Sequence, residues 1–454
     1  MDDTNFAEEL LVDLPDAVTL DPEIIAGFCR DRATWAPAGM PMALVRPAST
    51  SQVQALARWA TRHRIALVPR GAGTGIAGAA NATDGCAMVS FERMNQILDL
   101  DPAAMTAVVQ PGVLTGAIKQ AAREVGLWYP PDPSSFEICT IGGNVATNAG
   151  GLCCLRHGVT GSYVLGLELV LADGTAVRVG GPIRKDKAGY ALAQLIVGSE
   201  GTLALITEVT LRLRRPALPA TTVVATFPSL EAAGTATAAI VRTADPSLLE
   251  LMDGTTLRAV EAYRPQGLDR EIAAMLIVQT DARARDEGAR VEEACNRAGA
   301  MLVVASDDEA EGQRMMAARR LAYDAVERLG QVLVDDVIVP LPRLPRMLRR
   351  VQEIADAHST VVATVAHAGD GNLHPMVVFD PAEPESEARA TAVFQALMQE
   401  AITLGGSITG EHGVGVLKRS FLPRQLDAAS LALHARIKRA FDPDGILNPG
   451  KLLP

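Results

Sequence analysis

The sequence predicts an α+β protein of two domains, and three observations carry that prediction. Residues 1–215 are dense in short apolar runs punctuated by Gly, Pro and Asp-Gly turns, the signature of strands. Residues 216–454 carry long helical patterns alternating with strands, the pattern of helices laid on a mostly antiparallel sheet. Between them Arg214–Pro219 reads Arg-Arg-Pro-Ala-Leu-Pro, where neither period continues, and the domain boundary is placed there.

In chain order, Ile65–Pro69, Cys86–Phe91, Ala107–Gln110, Leu167–Ala172 and Leu203–Arg212 read as strands. A helix fits Ser51–His63, with Ser49–Ser51 able to cap its start and Val53, Leu56, Ala57 and Ala60 forming an apolar stripe. Another fits Thr115–Val125 and ends at Gly126. Beyond the boundary, helices are expected over Leu230–Arg242, Asp286–Ala298 and Glu387–Leu404. Strands are expected over Ala274–Thr280, Met301–Ala305, Val361–Ala366 and Met376–Phe379. The Pro/Gly-rich, apolar stretch 441–454 is expected to pack back towards the first domain.

Composition narrows the function. The 454 residues are 48% hydrophobic and 21% charged, as in ordinary globular proteins, and sparse aromatics leave aliphatic side chains to fill the core. A net charge of -11 without a Lys/Arg tract argues against nucleic acid as a partner. The acidic start, Met1-Asp2-Asp3-Thr4, lacks the pattern of a signal peptide, and no apolar run is long enough to span a membrane. The six cysteines form no C-x-x-C pair, which excludes a zinc ribbon or iron–sulfur site and suggests no disulfide framework. The cytoplasm is the expected location, and the oligomeric state stays open, a homodimer included.

Gly73-Thr74-Gly75-Ile76-Ala77-Gly78 is a literal G-x-G-x-x-G after a good strand. A Rossmann unit requires a helix to open there. Asn81-Ala82-Thr83-Asp84-Gly85 and a new strand at Cys86 leave no room for one, so the Rossmann fold is rejected. Arg70-Gly71-Ala72-Gly73-Thr74-Gly75 still offers closely spaced backbone N–H groups suited to a pyrophosphate, and equally fits a surface loop. Three more segments share this small-residue character: Pro130–Ser135, Thr140–Gly151 and Gly198–Thr202. Each fits either a flat ring lying on backbone or plain tight packing.

Histidine is scarce, seven in all, and three fall in two short segments. His367-Ala368-Gly369-Asp370-Gly371-Asn372-Leu373-His374 lies between two strands, and Asp370-Gly371 signals a type I′ hairpin turn. That turn pairs His367 directly with His374, with Cβ atoms about 4.5–5.5 Å apart, within reach of one metal ion. Gly410-Glu411-His412-Gly413 adds a carboxylate beside an imidazole. Two His and one carboxylate suit zinc, manganese or iron, while a pair of structural histidines on a hairpin is the plain alternative.

The order of these motifs, from about Arg46 to Lys451, resembles the vanillyl-alcohol oxidase type (PCMH-type) of FAD-binding domain followed by a C-terminal α+β substrate domain. More narrowly it is similar to the family of the glycolate oxidase flavoprotein subunit, D-lactate dehydrogenase and D-2-hydroxyglutarate dehydrogenase. The resemblance implies FAD, with Arg70, Gly71, Ala72, Gly73, Thr74 and Gly75 on the pyrophosphate. It places Pro131, Asp132, Ser135, Gly142, Gly143, Asn144, Thr147, Glu200, Gly201, Ile206 and Asn448 around the flavin. Residues 70–78 contain no His, so the FAD is expected to be non-covalent. The chain departs from the family pattern at Ile76-Ala77-Gly78-Ala79 and Arg156-His157-Gly158, where relatives carry Ser-Gly-Gly and Lys-Tyr-Gly.

The resemblance further implies His367, His374 and Glu411 as ligands of a divalent metal, zinc or manganese, His412 as the catalytic base, and Arg319 as the substrate arginine. Arg320 next to it leaves the assignment open by one residue. Val334 stands where 2-hydroxyglutarate-specific relatives carry Lys, which favours lactate, glycolate or a larger monocarboxylic hydroxy acid over 2-hydroxyglutarate, with a small D-2-hydroxy acid of the D-lactate or glycolate type expected. The electron acceptor is not encoded. An alcohol or sugar-lactone oxidase of the same superfamily is the alternative, although such enzymes generally lack the two histidine segments. A metal-dependent hydrolase or oxygenase using the two-His-one-carboxylate site would leave the first half without a role, and a flavin subunit acting only within a larger complex is a third reading.

Overall fold

The protein is described by a computed structural model over residues 3–281 and 285–454, so Met1 and Asp2 of the acidic start lie outside the described residues. The chain forms two compact units. The first comprises residues 1–150, 159–216 and 411–454, and the second residues 151–158 and 217–410.

In the first unit a four-stranded sheet runs in the order Val18–Thr19, Ala43–Val45, Ala87–Ser90, Leu67–Arg70. Leu67–Arg70 and Ala87–Ser90 pair in parallel, yet the chain between them, residues 71–86, contains no helix. The glycine-rich crossover is therefore a loop, as the rejection of a Rossmann unit requires. Helix Thr50–His63 covers this sheet, its Ser49 hydroxyl accepting from the Gln52 N–H, with Val53, Leu56, Ala57, Trp59 and Ala60 buried beneath it. A five-stranded antiparallel sheet follows in the order Ile97–Asp101, Thr106–Val109, Leu205–Arg212, Val164–Val170, Ala176–Gly180.

The return to this unit begins at Glu411, thirty residues before the expected Phe441. Packing explains the difference. Helix Ala428–Phe441 lays Ile437 and Phe441 on the core of the five-stranded sheet, and its Lys438 Nζ donates to the carbonyls of Thr202 and Leu447, each at 2.7 Å. Farther on, Ile446 and Leu447 are buried under the four-stranded sheet, where Leu67 N–H donates to Ile446 O and Asn448 N–H to Leu67 O, both at 2.8 Å.

The second unit is an eight-stranded sheet, antiparallel in every pair. Its central strand Leu248–Asp253 is buried at every position and lies between Ala274–Asp281 and Val361–His367. The segment around Arg319 forms two helices, Glu309–Met315 and Ala317–Glu327, which meet at Met316. Among the described residues no helix is long and apolar enough to cross a membrane.

Candidate active site

In the second unit the hairpin carries the two histidines, but in another register. A 3₁₀ turn over Ala368–Asp370 ends at Gly371, φ +75°, and His367 pairs with Asn372 while His374 pairs with Val365. A type I′ turn needs positive φ at two residues, and here Gly371 alone takes it. The correction shifts the pairing by two residues, and an even shift keeps every side chain on its face. His367 and His374 thus still share a face, both buried, with ring centroids 5.0 Å apart at 83°.

Each imidazole has a carboxylate behind it. His367 Nδ1 lies 2.7 Å from Glu250 Oε1, and Glu250 Oε2 accepts from Arg319 Nε at 2.8 Å. Burial opposes ionisation of Glu250, but His367 and Arg319 outweigh it and hold the carboxyl below the ordinary glutamate value. Asp336, fully buried, sits 3.6 Å from His374 Nδ1. It also accepts from Asn372 Nδ2, Thr409 Oγ1 and the Gly410 N–H at 2.7–2.9 Å. Neither Glu250 nor Asp336 was singled out in the sequence. The available signal was acid within an apolar run, Glu250 inside the strand Leu248–Asp253 and Asp336 between the strands Gln331–Val334 and Val337–Ile338. Of the two arginines, Arg319 faces Glu250, whereas Arg320 is exposed and bonds Gln313.

In the first unit Glu411 and His412 are adjacent, with His412 Nε2 3.6 Å from Glu411 Oε1. The turn behind them is fastened by Glu200, whose carboxylate accepts from Val414 N–H at 2.7 Å and Gly415 N–H at 2.9 Å. Burial pushes Glu200 up to about 7 against the pull of those two amides. A side chain at Gly150 would run into the Glu411 carboxylate, so the small-residue run 140–150 ends against it.

The residues expected around FAD sort into two groups. Around the glycine loop, Thr140 Oγ1 is buried without a hydrogen-bond partner, and it faces the α-carbon of Gly71, where a Cβ would clash with it. Asn448 donates to Ala79 O and Glu200 O, while its Oδ1 is likewise buried without a partner. The Thr140 hydroxyl can donate to a phosphate oxygen and Asn448 Oδ1 can accept from a ligand N–H or O–H, so these groups beside side-chain-free backbone fit a polar, phosphate-bearing ligand. Arg70 borders the loop, its guanidinium on Arg30 O at 2.7 Å. Pro131, Asp132 and Ser135 form the turn ahead of Thr140, with Ser135 O capping Ile138 and Cys139 N–H. The second group has structural side-chain duties. Asn144 Nδ2 donates to Thr115 Oγ1 at 2.7 Å, Thr147 Oγ1 to Gly143 O at 3.1 Å, and Ile206 lies in the apolar core. Gly201, φ +72°, packs on Pro69. Thr140, by contrast, is a polar group that the site-residue reading passed over.

The first unit thus carries a glycine-rich loop crossover, and the second paired buried imidazoles on an antiparallel sheet. Residues 41–180 match the family model of the FAD binding domain, and residues 219–452 that of the FAD linked oxidases, C-terminal domain. The chain belongs to the FAD-linked oxidases and is an FAD-binding enzyme. Its curated relatives include "Glycolate oxidase subunit GlcD" of Bacillus subtilis, 39% identical over 91% of this chain and 89% of that protein. They also include "D-2-hydroxyglutarate dehydrogenase" of Stutzerimonas stutzeri, 33% identical over 96% of each. Among solved structures, 4-ethylphenol oxidase from Gulosibacter chungangensis shares the fold at a TM-score of 0.79, with 18% identity, covering 99% of this chain and 97% of that one.

Proposed function

We propose that the enzyme oxidises a small monocarboxylic D-2-hydroxy acid, D-lactate or glycolate in type, to the 2-oxo acid with the help of a divalent metal. The observation that carries this reading is the buried His367–His374 pair, rings 5.0 Å apart on one sheet face. Two buried imidazoles backed by carboxylates make a donor set for a cation, and they suit zinc or manganese completed by Glu411. Relatives named for glycolate, D-lactate and D-2-hydroxyglutarate support the substrate class.

When bound, FAD supplies a two-electron acceptor and the metal supplies Lewis acidity towards the substrate's hydroxyl. Arg319 pairs with the substrate carboxylate and fixes which face of the α-carbon is presented. His412 takes the hydroxyl proton as the C–H bond breaks. The loop 70–75 with Thr140 and Asn448 binds FAD non-covalently. Val334, at the end of strand Gln331–Val334, gives a second substrate carboxylate no cationic partner, which disfavours 2-hydroxyglutarate.

The test is anaerobic titration of the purified yellow protein with D- and L-acids, before and after chelation. Bleaching by D-lactate or glycolate, lost with chelator and restored by zinc or manganese, is the expected result. Bleaching that survives complete metal removal overturns the metal, and a preference for D-2-hydroxyglutarate overturns the substrate assignment.

A further inference from the structure

One buried carboxylate holds two functional side chains of the second unit. Glu250 is 1% exposed in the middle of the central strand, directly opposite His367 in the pairing of Leu248–Asp253 with Val361–His367. Its Oε1 meets His367 Nδ1 at 2.7 Å and its Oε2 meets Arg319 Nε at 2.8 Å. Burying a carboxylate is costly unless its oxygens are matched by donors, and here both are. An imidazole that donates through Nδ1 carries its lone pair on Nε2. An arginine held through Nε has its terminal amino groups turned away from the anchor, where a planar fork can meet another carboxylate.

We propose that Glu250 is the positioning residue that selects Nε2 of His367 as the metal-binding nitrogen and aims Arg319 at the substrate. This inference rests on the metal reading above. Only an acid side chain of this length serves both partners. A glutamine that keeps its oxygen on Arg319 presents NH₂ to His367 Nδ1, so either that bond breaks or the imidazole turns to the tautomer with its proton on Nε2, the nitrogen the metal needs. Aspartate, one methylene shorter, cannot reach both. Metal affinity and substrate binding are thereby tied to one residue that touches neither ligand.

The test compares Glu250→Gln with wild type as FAD-loaded holoenzymes. Zinc and manganese affinities are measured by competition with a chromogenic chelator, and KM for the reducing D-acid is measured at saturating metal. A 10- to 100-fold loss of metal affinity, in the range of about 10–100-fold for removing such outer partners, is expected together with a raised KM and unchanged flavin content. Wild-type metal affinity in Glu250→Gln overturns the proposal, and lost affinity with a wild-type KM overturns its Arg319 half. His367→Asn separates the two levels, because wild-type metal affinity in that variant refutes the metal site itself. If Glu250→Gln does not fold, a crystal structure of the metal-loaded wild type decides. Metal on Nε2 with Nδ1 still on Glu250 supports the proposal, and metal on Nδ1 or on Glu250 overturns it.

Discussion

Two acids on one buried strand, Glu250 and Asp253, take opposite ionisation behaviour, and the difference lies in their partners. Glu250 meets His367 and Arg319 and is held low. Asp253 accepts from the Thr256 N–H and hydroxyl, each at 2.7 Å, as N-cap of helix Gly254–Tyr263, and burial pushes it up to about 6 against those bonds and the weaker pull of Arg258. A carboxyl with a raised folded value binds its proton more tightly folded than unfolded. Its contribution to stability therefore falls as pH climbs from its ordinary value near 3.8 to about 6, and the full deficit stands above that window. A shift of this size corresponds to about 3 kcal/mol. Asp253→Asn keeps an acceptor for the cap and does not titrate. The variant is expected to gain up to that amount relative to wild type between pH 4 and pH 8, read from denaturant midpoints. A stability difference independent of pH would show that Asp253 ionises normally.

Elements set what the sequence could and could not disclose. The hairpin was legible because Asp370-Gly371 between two apolar runs has few other readings. Its register was not, because a 3₁₀ turn and a type I′ turn use the same residues and differ only in how many take positive φ. The face was nevertheless correct, since the shift was even. Glu250 was out of reach for another reason: it lies 117 residues from His367, and only the sheet order brings them together. The turn after His412 shows how strongly such an element is fixed. Gly413 has φ +87°, and a Cβ there would stand 2.6 Å from Glu200 Oε1. Gly405 has φ +81° with nothing near its Cβ position. Gly405→Ala should thus cost only the backbone strain, about 1–2 kcal/mol, and leave turnover unchanged. Gly413→Ala adds displacement of Glu200 from the Val414 and Gly415 amides. It should lower the melting temperature further and reduce turnover at least tenfold. Equal behaviour of the two variants in both measurements would refute the Glu200 fastening.

At the scale of the molecule, the chain is threaded so that the first unit is closed by its last 44 residues (411–454), after the whole of the second sheet has been made. Composition hinted at this through the Pro/Gly-rich apolar end, but Gly410–Glu411, where the chain re-enters the first unit, shows no break in the sequence pattern. The closure is substantial. Ile446 and Leu447 are 2% and 0% exposed, and Leu447 bridges Leu67 on the strand that leads into the glycine loop. Burying side chains of this size contributes about 1.5–3 kcal/mol each, and the backbone bonds to Leu67 and the Asn448 contacts come in addition. Against a domain stability of about 5–15 kcal/mol, losing them together removes much of the margin. Deletion of residues 443–454 should therefore yield a chain that aggregates or, where soluble, purifies without a visible flavin band. The double variant Ile446→Ala/Leu447→Ala should keep FAD but melt at lower temperature. The strand order explains the contrast, since Asn448 stays on Ala79 and Glu200 in the double variant and is absent from the deletion. A deleted chain that binds FAD with undiminished affinity would show that the terminal segment covers the first unit without completing it.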